Sequence, residues 1–175
     1  MKIIEGMKEI KRLQEKAADL RVKVARHSAD LDFETPTYTN QRKQLEEWIQ
    51  SHRDTIQRIA ALRLAVQTVN LRTQVAIELA GKQVTKSIAE WIHWRRDLAK
   101  ANLELYAQLQ DRNAQGQPLR EGQMQQSGGT VINVKIRRYY DPAQRDKMMA
   151  LYKSEPSIID GHLEVVNATT DLGIE

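Results

Sequence analysis

Apolar residues recur at spacings of three and four along most of the chain, and at spacing two in only two short stretches. The longest regular stripe is Leu45, Trp48, Ile49, His52, Ile56, Ile59, Leu62, Val66 and Val69. Arg42, Lys43, Glu46, Glu47, Arg53, Asp54 and Arg58 fall mostly off it. This pattern keeps one side of an α-helix apolar and predicts a helix running to about Asn70. A stripe of that length needs a neighbour of similar length to cover it. Residues 2–27 supply one, with Ile3, Met7, Ile10, Leu13, Ala17, Leu20 and Val24 near heptad spacing and Gly6 a slight weakness in the first turn. Between the two, residues 28–40 break the pattern. Pro36 disfavours helix at Thr35, and Thr37, Thr39 or Asn40 can cap the helix that follows. Phe33 and Tyr38 are expected to form a small apolar plug on this connection.

Beyond Asn70 the period changes. Val75, Ile77 and Leu79 alternate with polar residues, the signature of a half-buried strand. Ala80, Gly81 and Lys82 read as a turn, after which Gln83 and Val84 can pair back. A third helix is predicted to begin near residues 85–87, because Ser87 and Glu90 fit a capping box. Its buried side is marked by Ile88, Trp91, Ile92, Arg95, Leu98, Asn102, Leu105 and Leu109. Residues 113–129 form a polar loop with Pro118 and four glycines, of a length found in functional loops, binding arms and disordered segments. Residues 130–140 read as a strand with Ile132, Val134 and Ile136 on one face and Val131, Asn133, Lys135 and Arg137 on the other. Its expected partner is the Val75–Leu79 strand or the same strand of a second subunit. Asp141 and Pro142 then make a helix start, at N-cap and N1. Apolar positions continue from Met148 to Val166, and Pro156 either kinks this helix or begins a new segment. The pattern as a whole predicts a mainly α fold: one domain over residues 1–175, a long antiparallel helical hairpin or bundle of about four helices, a small β element from two short strands, and a protruding segment near 113–140.

Composition narrows the class. The chain is 41% hydrophobic and 29% charged, which is a folded rather than a disordered balance. A net charge of +4 with both signs interspersed describes a solvated surface better than a dedicated polyanion binder. No cysteine is present, so disulfides, thiolate metal sites and cysteine nucleophiles are excluded. No run approaches the roughly 18 apolar residues of a membrane-spanning helix, and the N-terminal stretch lacks the apolar core of a signal peptide. Cytoplasmic synthesis without membrane association is therefore expected.

Two places concentrate special residues. Trp91, His93, Trp94, Arg95, Arg96 and Asp97 are close together on the third helix. Aromatics with arginines can stack on bases, or anchor a protein interface. The reading favoured over both is that Trp91 is core while Arg95 and Arg96 pair with acids on another helix. Lys135, Arg137, Arg138, Tyr139 and Tyr140 form the most basic patch, suited to nucleic acid, to an acidic partner, or to guarding a strand edge. His52 lies on an apolar stripe with no ligating neighbour one turn away. The glycines of residues 113–129 are not followed by the Lys-Ser/Thr of a phosphate-binding loop. Glu90, His93 and Asp97 are one helical turn apart and are the only cluster with an enzyme's residue types. No cofactor or metal site is expected.

The order of elements resembles the septicolysin-like family of small, poorly characterised bacterial helical-hairpin proteins. The resemblance is carried by residues 68–73 after two long helices, by Val84 to Glu90, by Arg95-Arg96-Asp97, and by a terminal Asn167-Ala168-Thr169-Thr170-Asp171-Leu172. Thr73 stands where the family pattern has a second Asn, and Ala168 where it has Trp. The resemblance implies an oligomeric helical hairpin with a small β element, and supplies no reaction. The expected function is that of a non-enzymatic structural or assembly protein, acting as a homo-oligomer with other assembly proteins, such as a head or capsid-stabilising component of a phage particle. The alternatives are a nucleic-acid-binding module using the basic residues above, and an enzyme.

Overall fold

The computed structural model describes residues 1–125 and 128–174. The described chain is mainly helical, with two small antiparallel strand pairs. In order it contains α1 (Ile3–Arg26), α2 (Gln41–Arg72), β1 (Gln74–Leu79), β2 (Lys82–Ser87), α3 (Ile88–His93), a π-helical turn (Trp94–Leu98), α4 (Ala99–Ala107), β3 (Gly122–Gln125), β4 (Val131–Val134) and α5 (Pro142–Thr169). These divide into two compact units. One comprises Met1–Ala76, Thr85–Glu90 and the chain from His162 onward; the other comprises Ile77–Val84 and Trp91–Gly161.

In the first unit α1 and α2 pack along a seam with alternating spacings of three and four. On α1 the seam is Ile3, Gly6, Ile10, Leu13, Ala17, Leu20 and Val24; on α2 it is Trp48, His52, Thr55, Ile59, Leu62, Val66 and Val69. Leu13, Ile59 and Leu62 form its buried centre, joined by Ile10 and Ile174. The contacts run in opposite directions: Arg21 meets His52, and His27 meets Trp48. The two helices are therefore antiparallel. Met7, Ile49 and Ile56, all expected on the stripes, lie off the seam. Met7 is 51% exposed, and Gly6 takes the inward place. The missing side chain admits Leu172, whose Cδ1 occupies the position a Cβ at residue 6 would need. Ile56 is 44% exposed, and Thr55 is buried instead. The Thr55 hydroxyl donates to the Ser51 carbonyl at 2.6 Å, so its burial leaves no polar group unmet.

Asn40 caps α2, its side chain accepting from the Lys43 amide at 3.0 Å. The plug on the connection differs from expectation. Phe33 is 80% exposed, whereas Tyr38 packs edge-on to Trp48 and to His27, with centroids 5.3 and 5.4 Å apart. The residues following α5 cross the start of α1: the Ile3 amide donates to the Thr170 carbonyl at 3.0 Å, and the Leu172 amide to the Met1 carbonyl at 2.9 Å.

The β1–β2 hairpin buries Val75, Ile77 and Leu79, as the alternation predicts. Its turn, Ala80–Gly81, has φ of 53° and 74°, the positive pair of a type I′ turn. β2 continues to Ser87 and delivers the chain directly into α3. There the Glu90 carboxylate accepts from the Ser87 amide at 2.8 Å and the Glu90 amide donates to Ser87 Oγ at 3.2 Å, completing the capping box.

In the second unit the π turn follows α3 without a break and leads into α4. The strand expected over 130–140 is shorter, Val131–Val134, and within the described chain its partner is not β1. It pairs antiparallel with β3, Gly122 opposite Val134 and Gln125 opposite Val131. β3 lies inside the stretch read as loop, since Gln123, Met124 and Gln125 carry no apolar alternation. A partner a few residues away closes a short loop and wins over a distant strand on entropy. Asp141 accepts from the Ala143 amide at 2.9 Å, and α5 begins at Pro142. Pro156 lies inside α5 and neither ends nor restarts it. The sequence expectation of one small β element from two strands thus becomes two separate strand pairs.

Candidate functional site

The dense cluster on the third helix is largely used up internally. Trp91 is fully buried and meets Trp94 edge-on, centroids 6.3 Å apart. The Trp94 indole N–H donates to Glu155 Oε2 at 2.8 Å, and Glu155 is only 3% exposed. Arg95 is ion-paired with Asp160 on α5. Arg96 grips Asp97 at 3.0–3.1 Å, which holds the Asp97 carboxyl below its ordinary value. His93 Nδ1 sits 3.7 Å from Asp97 and 3.4 Å from the Arg96 guanidinium. The charges of Arg95 and Arg96 are each matched by a carboxylate. Glu90 is committed to Ser87, whose amide and hydroxyl bonds lower its pKa. Among the described residues no group of three or more His, Asp or Glu side chains is placed to hold a metal ion.

The second cluster stands at the base of the β3–β4 arm, and the structure splits it. Asp111, which follows α4, accepts from Arg138 Nε at 2.9 Å, from Arg138 Nη2 at 2.6 Å and from the Tyr140 hydroxyl at 3.0 Å. These bonds, Arg138 foremost, pull the Asp111 carboxyl below its ordinary range against the opposing effect of desolvation. Arg145 completes the clamp, donating to the Leu109 carbonyl at 3.0 Å while its guanidinium lies 5.6 Å from the Tyr140 ring centre. Arg138 and Tyr140 therefore fasten the two ends of the arm together. Lys135, Arg137 and Tyr139 point outward, Tyr139 90% exposed, with no hydrogen bond or ion pair among the described residues.

The arm itself covers little. All four residues of β3 are exposed, and Met124 and Val131 are 58% and 57% exposed. A lone two-stranded hairpin is marginal in water, and both its edges offer unpaired backbone groups.

A third feature was not anticipated. Beside the α1/α2 seam lie two adjoining hollows of about 280 and 320 Å³. Leu20, Val24, Ala17, Ile49, Ile56 and Ala60 line them, and Arg21, Arg53 and Arg63 stand at the sides. The sequence signal was present: Ile49 and Ile56 are seven residues apart and cannot share the seam with Trp48, His52 and Thr55. Asp111, Glu155 and Asp160 were also missed, because their roles depend on partners 27 to 65 residues away.

No described helix is long and apolar enough to cross a membrane. In comparisons with known proteins, no family model, curated protein or solved structure matches the chain.

Proposed function

We propose that the protein is a non-enzymatic structural or assembly component that acts as a homo-oligomer, the α1/α2 pair serving as a rigid strut within a helical bundle and the 113–140 segment as a contact arm. The observation that carries this reading is the arm: a strand pair with Ile132 and Val134 only half-buried and Met124 exposed on the same face, Val131 exposed on the other, clamped at its base by Asp111, Arg138 and Tyr140. A clamped but uncovered hairpin suits an element whose apolar face is completed by a neighbour. A component of a phage particle, such as a head or capsid-stabilising subunit, is the setting we favour, with synthesis in the cytoplasm. The resemblance to the septicolysin-like family is part of the same proposal and rests on the residues quoted above, of which Asp171 and Leu172 tie the chain's two ends together. Deleting residues 114–128 should preserve helix content by circular dichroism and reduce the native mass; an unchanged mass would reject the arm's role.

A second reading, nucleic-acid binding, is favoured by Lys135, Arg137 and Tyr139, which are exposed and unpaired among the described residues. Arg95, Arg96 and Arg138 are occupied by carboxylates, so this reading rests on fewer cations than the sequence offered. Steep salt dependence would accompany it; absence of binding at low salt would dismiss it.

A further inference from the structure

We infer that the hollow beside the α1/α2 seam is a docking groove for an acidic amphipathic helix of a partner protein. Its floor is made by Ala17, Leu20 and Ile59, each less than 10% exposed. Its α2 wall carries Ile49 and Ile56, 36% and 44% exposed, one heptad apart. Two antiparallel helices with a second apolar line beside their seam present the groove into which a third helix packs. From Gln14 to Ala25 the α1 wall spans about 17 Å, or roughly three turns of an occupant.

Charge selects the occupant. Arg53 and Arg63 make no ion pair among the described residues, and Arg21 meets only the His52 ring, at 3.4 Å. None of the residues lining the two hollows is acidic. A helix seated there places its flanks beside three cations with no carboxylate of their own, which favours Glu or Asp on both flanks of its apolar stripe. A second copy docking groove to groove would set Arg21, Arg53 and Arg63 against themselves. A flat anionic surface would leave the floor uncovered. This inference is independent of the assembly reading, since it concerns a different surface and a different partner.

The test uses the full chain and labelled synthetic helical peptides of about 20 residues, long enough to hold helix. The first has Leu at seam positions and Glu on the flanks; a second has Lys for Glu; a third has Ser for Leu. Binding is followed by fluorescence anisotropy at roughly physiological salt. The first peptide should saturate the protein and the other two should not. Ile49→Ser with Ile56→Ser, and separately Arg53→Gln with Arg63→Gln, should each weaken it about tenfold or more. Both pairs are surface changes, and circular dichroism checks that each variant keeps its helix content. Failure of the first peptide to saturate, equal binding by the Ser peptide, or indifference to both variant pairs would overturn the inference. So would dimerisation of the protein abolished by the Ile substitutions, or preference for phosphatidylserine vesicles over the peptide.

Discussion

Lys2 Nζ lies 2.7 Å from Asp171 Oδ2, joining residues 169 positions apart. The pair is one stitch in a seam that lays the segment after α5 across the start of α1. Around it, backbone bonds link Ile3 to Thr170 and Leu172 to Met1, and Leu172 fills the notch at Gly6. Lys2 and Asp171 are both substantially exposed, so solvent screens their attraction and the ion pair adds little by itself. The buried member of the seam is Leu172, 5% exposed. Leu172→Ala should therefore lower unfolding free energy by about 2–4 kcal/mol in urea titrations. Asp171→Asn should change it far less.

Trp94 and Glu155 make the complementary case, a polar contact that is shielded. Removing the indole N–H with Trp94→Phe leaves the buried carboxylate without that donor and should cost about 1–3 kcal/mol. Glu155→Gln keeps an acceptor for the indole and should cost less. Thermal unfolding of the two variants side by side checks the order.

The β1–β2 turn should be improvable. Ala80 adopts φ 53°, a conformation that favours Asn or Gly over a residue with a plain Cβ. Ala80→Asn should stabilise the protein by about 0.5–1 kcal/mol, read as a higher urea midpoint at unchanged slope.

Asp111 sets a pH dependence. Its carboxyl is depressed in the fold, chiefly by Arg138 and then by Tyr140, from an ordinary value of 3.8. A depressed acid binds its proton less readily folded than unfolded. Its stabilising contribution is thus complete above 3.8 and is lost as pH falls through the lower folded value. Carboxyl NMR titration should place Asp111 below its ordinary value of 3.8, and Arg138→Gln should bring it back up.

What the sequence made legible follows from how local each determinant is. The Ser87–Glu90 box and the Asp141–Pro142 start are set by residues within three or four positions of one another and are readable, as is the cap of α2 to within Thr37, Thr39 and Asn40, of which Asn40 serves. The alternation Val75, Ile77, Leu79 likewise announces its own strand. Met7 and Ile56 were misplaced because an apolar stripe wider than a seam does not say which of two adjacent residues faces in. Gly6 and Thr55 decide it, one through Leu172 and the other through Ser51. The site suffered most. Arg95 is expected to pair with an acid on another helix and does so with Asp160, whereas Arg96 takes its neighbour Asp97 instead and Arg138, read as part of a basic patch, finds Asp111 only once the chain has folded.

The central claim is self-assembly, and native mass by light scattering at low and high salt tests it most directly. The account predicts a discrete oligomer that resists salt, because what the arm offers a neighbour is exposed apolar side chains and strand edges rather than ion pairs. A monomer at both salts would contradict it.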